Sequence, residues 1–317
     1  MSVSAPPEED AAGISPVFAA PPAAARWRWL PDRWLGRLSV APTLLLLFGL
    51  FIFPLLYVVV LSFTDYSATG NADVEVVGFE NYTRLLSSDQ VRSRAITTGL
   101  FVVGAVGLQT VLGFGLAYLI HRQRRGGGLL TVIFLIPMML SPVIVGAFWR
   151  LMLDSSFGVV NGTLRMVGVD GPQWLSEQGV ALISLILVDT WQWTPFIMVI
   201  ALAGLNAVPA YLYEAADIDR ASDWFKFRSI TLPIVWPILL IAVLFRIIDA
   251  FRLFDIVLIV TGGGPGGTTE TLSFHIYKLA IRNFDTGLAS AYGVLMLIVV
   301  NILAVIFIKY LERLRTR

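Results

Sequence analysis

The sequence predicts an all-α membrane protein with six transmembrane helices. Three observations lead to that class. Of the 317 residues, 56% are hydrophobic and only 14% charged, and the mean hydropathy is +0.76. Soluble domains carry about 25% charged residues, and one soluble core could not enclose so much apolar side chain, so lipid has to serve as solvent. The apolar residues are gathered into runs of spanning length, and the basic residues concentrate on every second connecting segment. The same numbers exclude other classes. A net charge of +1 gives no basis for nucleic-acid binding. The absence of cysteine removes disulfides, thiol catalysis and cysteine metal sites, and two histidines, His121 and His275, cannot build a histidine-rich metal site.

Residues 1–38 read as a cytoplasmic tail. Pro6, Pro7, Pro16, Pro21 and Pro22 stand among alanines, serines and acids, a composition that does not fold, and the tail lacks the basic start and apolar run of a signal peptide. Arg26-Trp27-Arg28-Trp29, then Arg33, Trp34 and Arg37, suit the lipid headgroup layer, which favours aromatic rings and, beside anionic lipid, arginine. Partner binding is the alternative for that stretch. A hydrocarbon core about 30 Å thick needs roughly 20 apolar helical residues. Residues 39–64, 95–120, 129–149 and 286–308 are uncharged throughout; 179–205 contains Asp189, and 234–260 contains Arg246, Asp249, Arg252 and Asp255. The transmembrane domain thus runs over 39–313.

Six spans leave both termini on one side. Fourteen lysines and arginines fall on the terminal segments, on 122–125 and on 220–228, against seven on the other side, so the positive-inside rule assigns the termini to the cytoplasm. The opposite segments, 65–94, 154–178 and 261–285, are too short for separate domains. Thr261-Gly-Gly-Gly-Pro-Gly-Gly-Thr268 reads as a sharp outer turn, because glycine accepts positive φ. No GxxxxGK[ST] pattern occurs, so any ATP and magnesium must be held by another chain. Pro137, Pro142 and Pro195 are expected to kink their helices, Trp149 and Arg150 to anchor at an interface, and Asp285 to stand at a helix terminus.

Ionisable residues at bilayer depth cost roughly 2.5–3.5 kcal/mol each, so they face protein or water. Asp189, Gln192, Trp193 and Phe196 recur at i, i+3, i+4 and i+7, which places them on one helical stripe. An acid and an amide hydrogen-bond hydroxyls, and aromatic faces cover a sugar ring, so this stripe suits a polyhydroxy ligand. Arg246, Asp249, Ala250 and Leu253 form a similar stripe, and Arg252 would also suit an anionic solute. The competing reading is structural: Asp249 with Arg246 or Arg252, and Asp255 with Arg252, neutralise one another.

Residues 206–237 are the most informative. Glu214, Asp217, Asp219, Arg220, Asp223, Lys226 and Arg228 crowd between two apolar spans. An amphipathic helix on the inner membrane face, with Trp224, Phe225 and Phe227 in the headgroups, is one explanation. A docking surface is the other: Glu214-Ala215-Ala216 carries small side chains that admit a partner, and Leu232-Pro233 and Pro237 are expected to break the helix and turn the chain into the next span. The order Glu214-Ala215-Ala216, three residues, Arg220, then Ile230-Thr231-Leu232-Pro233 resembles the EAA loop of type I ABC importer permeases. Gly78-Phe79-Glu80-Asn81-Tyr82 and the stretch from Phe251 to Pro265 resemble the carbohydrate, polyol and glycerol-phosphate group of that family, and the likeness covers about 38–313.

The resemblance implies a type I ABC importer permease fold in a bacterial cytoplasmic (inner) membrane, forming half of a path for a sugar, polyol or related solute. It implies a second, different permease, two ABC ATPases that bind ATP and magnesium, and an extracytoplasmic solute-binding protein. It implies no cofactor and no ATPase site in this chain. Glu214, Ala215, Ala216, Asp219, Arg220, Leu232 and Pro233 would couple to the ATPases, and Asp189, Gln192, Trp193, Phe196, Asp249, Ala250, Arg252 and Leu253 would line the path. Arg220 stands where the family has glycine, and arginine is not expected to copy a glycine turn. The alternative is a proton-coupled secondary transporter using Asp189 or Asp249; no recognisable nucleophile–base set supports an intramembrane enzyme.

Overall fold

A computed structural model describes residues 32–70, 74–123 and 126–315. The proline-rich tail, the basic-aromatic stretch as far as residue 31, Arg124, Arg125 and Arg317 lie outside the described residues. The chain divides into two units, Met1–Leu55 and Leu56–Arg317. The first contains α1 (Asp32–Leu47), a π-helical stretch (Phe48–Ile52) and the start of α2 (Phe53–Leu61). Its large apolar side chains, from Leu44 to Phe53, are exposed, a surface suited to lipid.

The second unit contains α3 (Glu80–Leu86), α4 (Asp89–His121), α5 (Gly127–Met139), α6 (Pro142–Met152), α7 (Val159–Met166), α8 (Val180–Asn206), α9 (Ala210–Ile218), α10 (Asp223–Lys226), α11 (Leu232–Phe251), α12 (Leu272–Tyr277) and α13 (Thr286–Arg315). Two isolated β-bridges, and no strand, occur among the described residues. Five helices are long and apolar enough to cross a membrane, and a sixth crossing exists if α5 and α6 count as one bent span.

Two predicted spans are not continuous helices. The stretch 129–149 is split at Leu140 and Ser141 into α5 and α6, which meet at 92°. Pro142 is the reason: it sits in the first turn of α6, where its missing N–H costs nothing, and it pushes the preceding residue out of helical geometry. Pro142 therefore starts a new helix, whereas Pro137 and Pro195 stay inside α5 and α8. The stretch 234–260 ends its helix at Phe251, with Arg252 as C-cap, and resumes helical geometry at residue 255, leading into a π-helical turn at Val257–Thr261. The expected glycine turn forms: Gly262, Gly263, Gly266 and Gly267 all adopt positive φ. Asp285 accepts from the Leu288 N–H at 3.2 Å, at the start of α13.

α8 is the most buried helix and packs between α4 and α11. Gly113 permits that approach, since a Cβ there would lie 2.8 Å from Ile197 and 2.9 Å from the Thr194 carbonyl oxygen. Two apolar clusters result. One joins Phe101, Val102 and Ala105 of α4 to Leu185 and Val188 of α8 and Ala250 of α11. The other joins Ala117 and Ile120 to Ile197, Ala201 and Leu205 and to Val235 and Leu239 of the same three helices. Between them sit buried polar residues from all three helices: Gln109 on α4, Asp189 on α8 and Arg246 on α11, with Thr190, Gln192 and Thr194 also buried on α8.

Candidate functional site

The buried layer between the clusters is a closed network. Arg246 is 2% exposed, and its Nη2 donates to Asp189 Oδ2 at 3.0 Å. Its Nε donates to Gln109 Oε1 at 2.9 Å. Gln109 Nε2 in turn donates to Asp189 Oδ2 at 2.7 Å and to the Asp189 carbonyl at 3.3 Å. The amide orientation follows from its neighbours, because arginine only donates and a carboxylate only accepts. Arg246 Nη1 also pairs with Asp249, three residues along α11, whose side chain is 55% exposed. The Trp193 ring lies 4.7 Å below the guanidinium carbon, a cation–π contact. One arginine therefore holds two carboxylates, an amide and an indole.

Asp189, Trp193, Asp249, Ala250, Arg252 and Leu253 meet at one pocket of about 90 Å³, which Asp255 also lines. The predicted stripe on α8 is divided. Asp189 and Trp193 face the pocket, whereas Gln192 is buried and donates to the Leu140 carbonyl at the α5–α6 break, at 3.2 Å. Phe196 packs with the second apolar cluster, two helical turns, or about 10 Å, along from Asp189. The expected Arg252–Asp255 pair is not among the ion pairs of the described residues. The i, i+3 spacing assumed a helix, and α11 ends one residue before Arg252. Asp189, by contrast, has Arg246 as its partner, a contact between helices that spacing within one helix cannot reveal.

The charged segment is built differently. α9 ends in a Schellman motif: the Ala221 N–H bonds to the Ala216 carbonyl at 2.8 Å and the Arg220 N–H to the Asp217 carbonyl at 3.0 Å. Arg220 occupies the left-handed position with φ +52°, so arginine here does adopt the turn expected of glycine. Ser222 caps α10 by accepting from the Phe225 N–H at 3.3 Å. Lys226 pairs with Asp217 and lies 3.8 Å from Asp223, which takes Arg122 of α4 at 3.2 Å. Phe227 rests on Tyr118 and Phe114 of α4, with ring centroids 5.6 and 6.0 Å away. Glu214, Ala215, Asp219 and Arg220 are exposed, while Ala216 is buried and serves the loop's own packing. A groove of about 550 Å³ runs beside them, lined by Leu212, Ala215, Asp219, Phe225 and Ile230 among others.

Leu232-Pro233 does not break the chain's helical path. α10 passes through a π-helical stretch (Phe227–Thr231) into α11, and the Leu232 N–H reaches back to the Phe227 carbonyl. Pro233 sits in the first turn of α11 and Pro237 inside it, so the π-turn absorbs the change that proline imposes. Arg150 donates to the Ile259 carbonyl at 3.0 Å, and Trp149 packs against the first apolar cluster.

Sequence reasoning missed two groups. Gln109 lies in a span that is uncharged throughout, and its lone amide there was the signal available. Glu270 is the other: buried, it pairs with Arg94 at 2.7 Å and with Lys278, and lies 3.6 Å from His275.

Long apolar helices around a buried polar layer, with an exposed charged loop between two of them, suit a membrane protein of the transport class. Residues 109–317 match the profile of the binding-protein-dependent transport system inner membrane component, and the chain belongs to that family. It is 36% identical over 278 residues to the trehalose/maltose transport system permease protein MalF of Thermococcus litoralis, covering 87% of this chain and 92% of that protein. It is 34% identical to the sulfoquinovosyl glycerol transport system permease protein SmoG of Agrobacterium fabrum, over 86% of this chain and 88% of that one. The trehalose permease SugA of Mycobacterium tuberculosis is 32% identical, over 88% and 89%. A bacterial alginate ABC transporter, solved with its periplasmic protein, has a chain of the same fold, with TM-score 0.77 at 22% identity over 87% of this chain and 93% of that chain.

Proposed function

We propose that this chain is one permease subunit of an ATP-driven importer and forms half of the path for a sugar, polyol or related polyhydroxy solute. It crosses the inner membrane six times, α5 and α6 together making the third crossing, with both termini in the cytoplasm. A solute-binding protein delivers the solute outside, and a second, different permease supplies the opposing wall. Two ABC ATPases, which bind ATP and magnesium, dock on this chain and its partner. Glu214, Ala215, Asp219 and Arg220 offer the exposed contact here, and Leu232 and Pro233 pass its displacement into α11. This chain performs no ATP chemistry itself.

One observation carries the reading: an exposed, charged helix–turn–helix between two spanning helices. The names of three relatives, for maltose and trehalose, sulfoquinovosyl glycerol and trehalose, support the carbohydrate class. The pocket supports a shared path, because about 90 Å³ is well below the roughly 300–1,000 Å³ of small-molecule sites. ATP binding would favour the outward-open population and hydrolysis the inward one, through contacts that differ between the two states.

The test is purification of the tagged protein from its own membranes in mild detergent, with mass spectrometry of what accompanies it. An ABC ATPase and a second permease should appear, and Glu214→Lys should lose the ATPase. Recovery of the permease alone, still moving solute in vesicles without ATP, would sink the reading in favour of proton coupling through Asp189 or Asp249. With the complex in hand, the solute is the compound that stimulates ATP hydrolysis when the binding protein is present.

A further inference from the structure

α4 is a 33-residue helix without an internal proline, about 50 Å long at 1.5 Å per residue. It has attachments at three depths. Near its N-terminus Arg94 pairs with Glu270 at 2.7 Å, and the Thr98 hydroxyl accepts from the Leu272 N–H at 2.9 Å, both beside the glycine turn. At mid-length Gln109 joins Asp189 and Arg246. At its C-terminal end Phe114 and Tyr118 hold Phe227, and Arg122 holds Asp223. From Gln109 this last attachment begins 5 residues on at Phe114 and reaches 13 residues on at Arg122, or about 8 to 20 Å along a single helix. Gln109 is the only polar group that α4 gives to the buried network among its described contacts.

We propose that α4 is the rod by which the docking segment acts on the pocket, with Gln109 as the positioning residue at its working end. The inference rests on the docking role proposed above. A shift of Phe227 carries Tyr118 and Phe114 with it, because interlocked rings move as one. A helix is stiff along its axis, so Gln109 moves too. Its amide bridges Asp189 and Arg246, and displacing it forces those two to re-form their pairing, which resets Trp193 and Asp249 at the pocket. Sites further apart than about 10 Å ordinarily act independently, so coupling between them needs a physical link. α4 is that link.

The chain contains no cysteine, so Leu253→Cys places a single thiol in it, at the pocket. In the purified complex, labelling of this thiol by a membrane-impermeant maleimide is timed with and without ATP plus vanadate and read from the mass of this chain. The expected nucleotide effect in the parent Leu253→Cys chain is about 5- to 150-fold, the usual range of coupling between sites. Gln109→Leu and Phe227→Leu should each abolish it while the ATPase stays bound, and the double variant should behave as the single ones do. A Gln109→Leu complex that keeps the full nucleotide effect overturns the proposal, even if its melting temperature falls, since that is what a purely structural amide would show. If Gln109→Leu does not assemble, Phe227→Leu decides alone: retention of the effect overturns, loss supports. A parent chain with no nucleotide effect at all fails the docking reading instead.

Discussion

Two ionic networks of similar composition lie at opposite extremes of burial. Between α4, α8 and α11, Arg246 and Asp189 are each about 2% exposed as side chains. Beside α10, Arg122 and Asp223 are 57% and 69% exposed. Separation does not distinguish them, at 3.0 and 3.2 Å. Their surroundings do. Breaking a buried pair by removing one partner costs about 3–5 kcal/mol, while an exposed pair contributes about 0–1 kcal/mol. The buried network holds three helices in register, and the exposed one is cheap to exchange.

The largest expected effect would come from Arg246→Leu, which strands Asp189 without its counter-ion. Thermal unfolding in lipid nanodiscs should show a loss of about 3–5 kcal/mol, and adding Asp189→Leu should recover most of it. An equal loss from Arg122→Leu would break the comparison. Next in size is Gly113→Ala, at the closest approach of α4 and α8; overpacking there should cost about 1–3 kcal/mol, read as a lower melting temperature. Arg220→Gly runs the other way. A non-glycine residue in the left-handed region costs about 1–2 kcal/mol, so the substitution should stabilise α9 by about 1 kcal/mol, visible as slower backbone hydrogen exchange in Ala210–Ile218.

Smaller still is Arg122→Gln. It should change stability by no more than about 1 kcal/mol, and the change should fade as salt is raised. His275 offers an intermediate point. Burial holds its imidazole below the usual histidine value, against the pull of Glu270, and Arg94 and Lys278 lower it further. The folded chain then resists a proton that the unfolded chain accepts, so stability is full above about pH 6.5 and declines as acid is added. His275→Phe should flatten that slope in melts taken across pH 5 to 7.

Much of the fold was legible in the sequence because lipid demands long uncharged runs, and those runs stand out without any partner in view. The breaks were less legible. Pro142 reads the same whether it bends a helix or begins one, and only the path of Leu140 and Ser141 decides. The pairing of Asp189 with Arg246 joins residues 57 apart, beyond the reach of helical periodicity, so the pattern offered only pairs near in sequence, Asp249 with Arg246 or Arg252 and Asp255 with Arg252, of which Arg246–Asp249 forms. Gln109 was hidden by its neutrality. Arg220 was legible as a position in the loop pattern, but not as a conformation. Arginine avoids positive φ on propensity, and two backbone hydrogen bonds at the end of α9 override that preference.

The shallow pocket between α8 and α11 bears on how such a transporter could change its diet over evolutionary time. On the two-permease reading, half of the path's wall is encoded elsewhere. A lineage could then take up a new sugar by recombining this gene with another partner's, leaving Asp189, Arg246 and Gln109 untouched. The arginine network would be inherited as scaffold, and taste would be revised on the facing subunit.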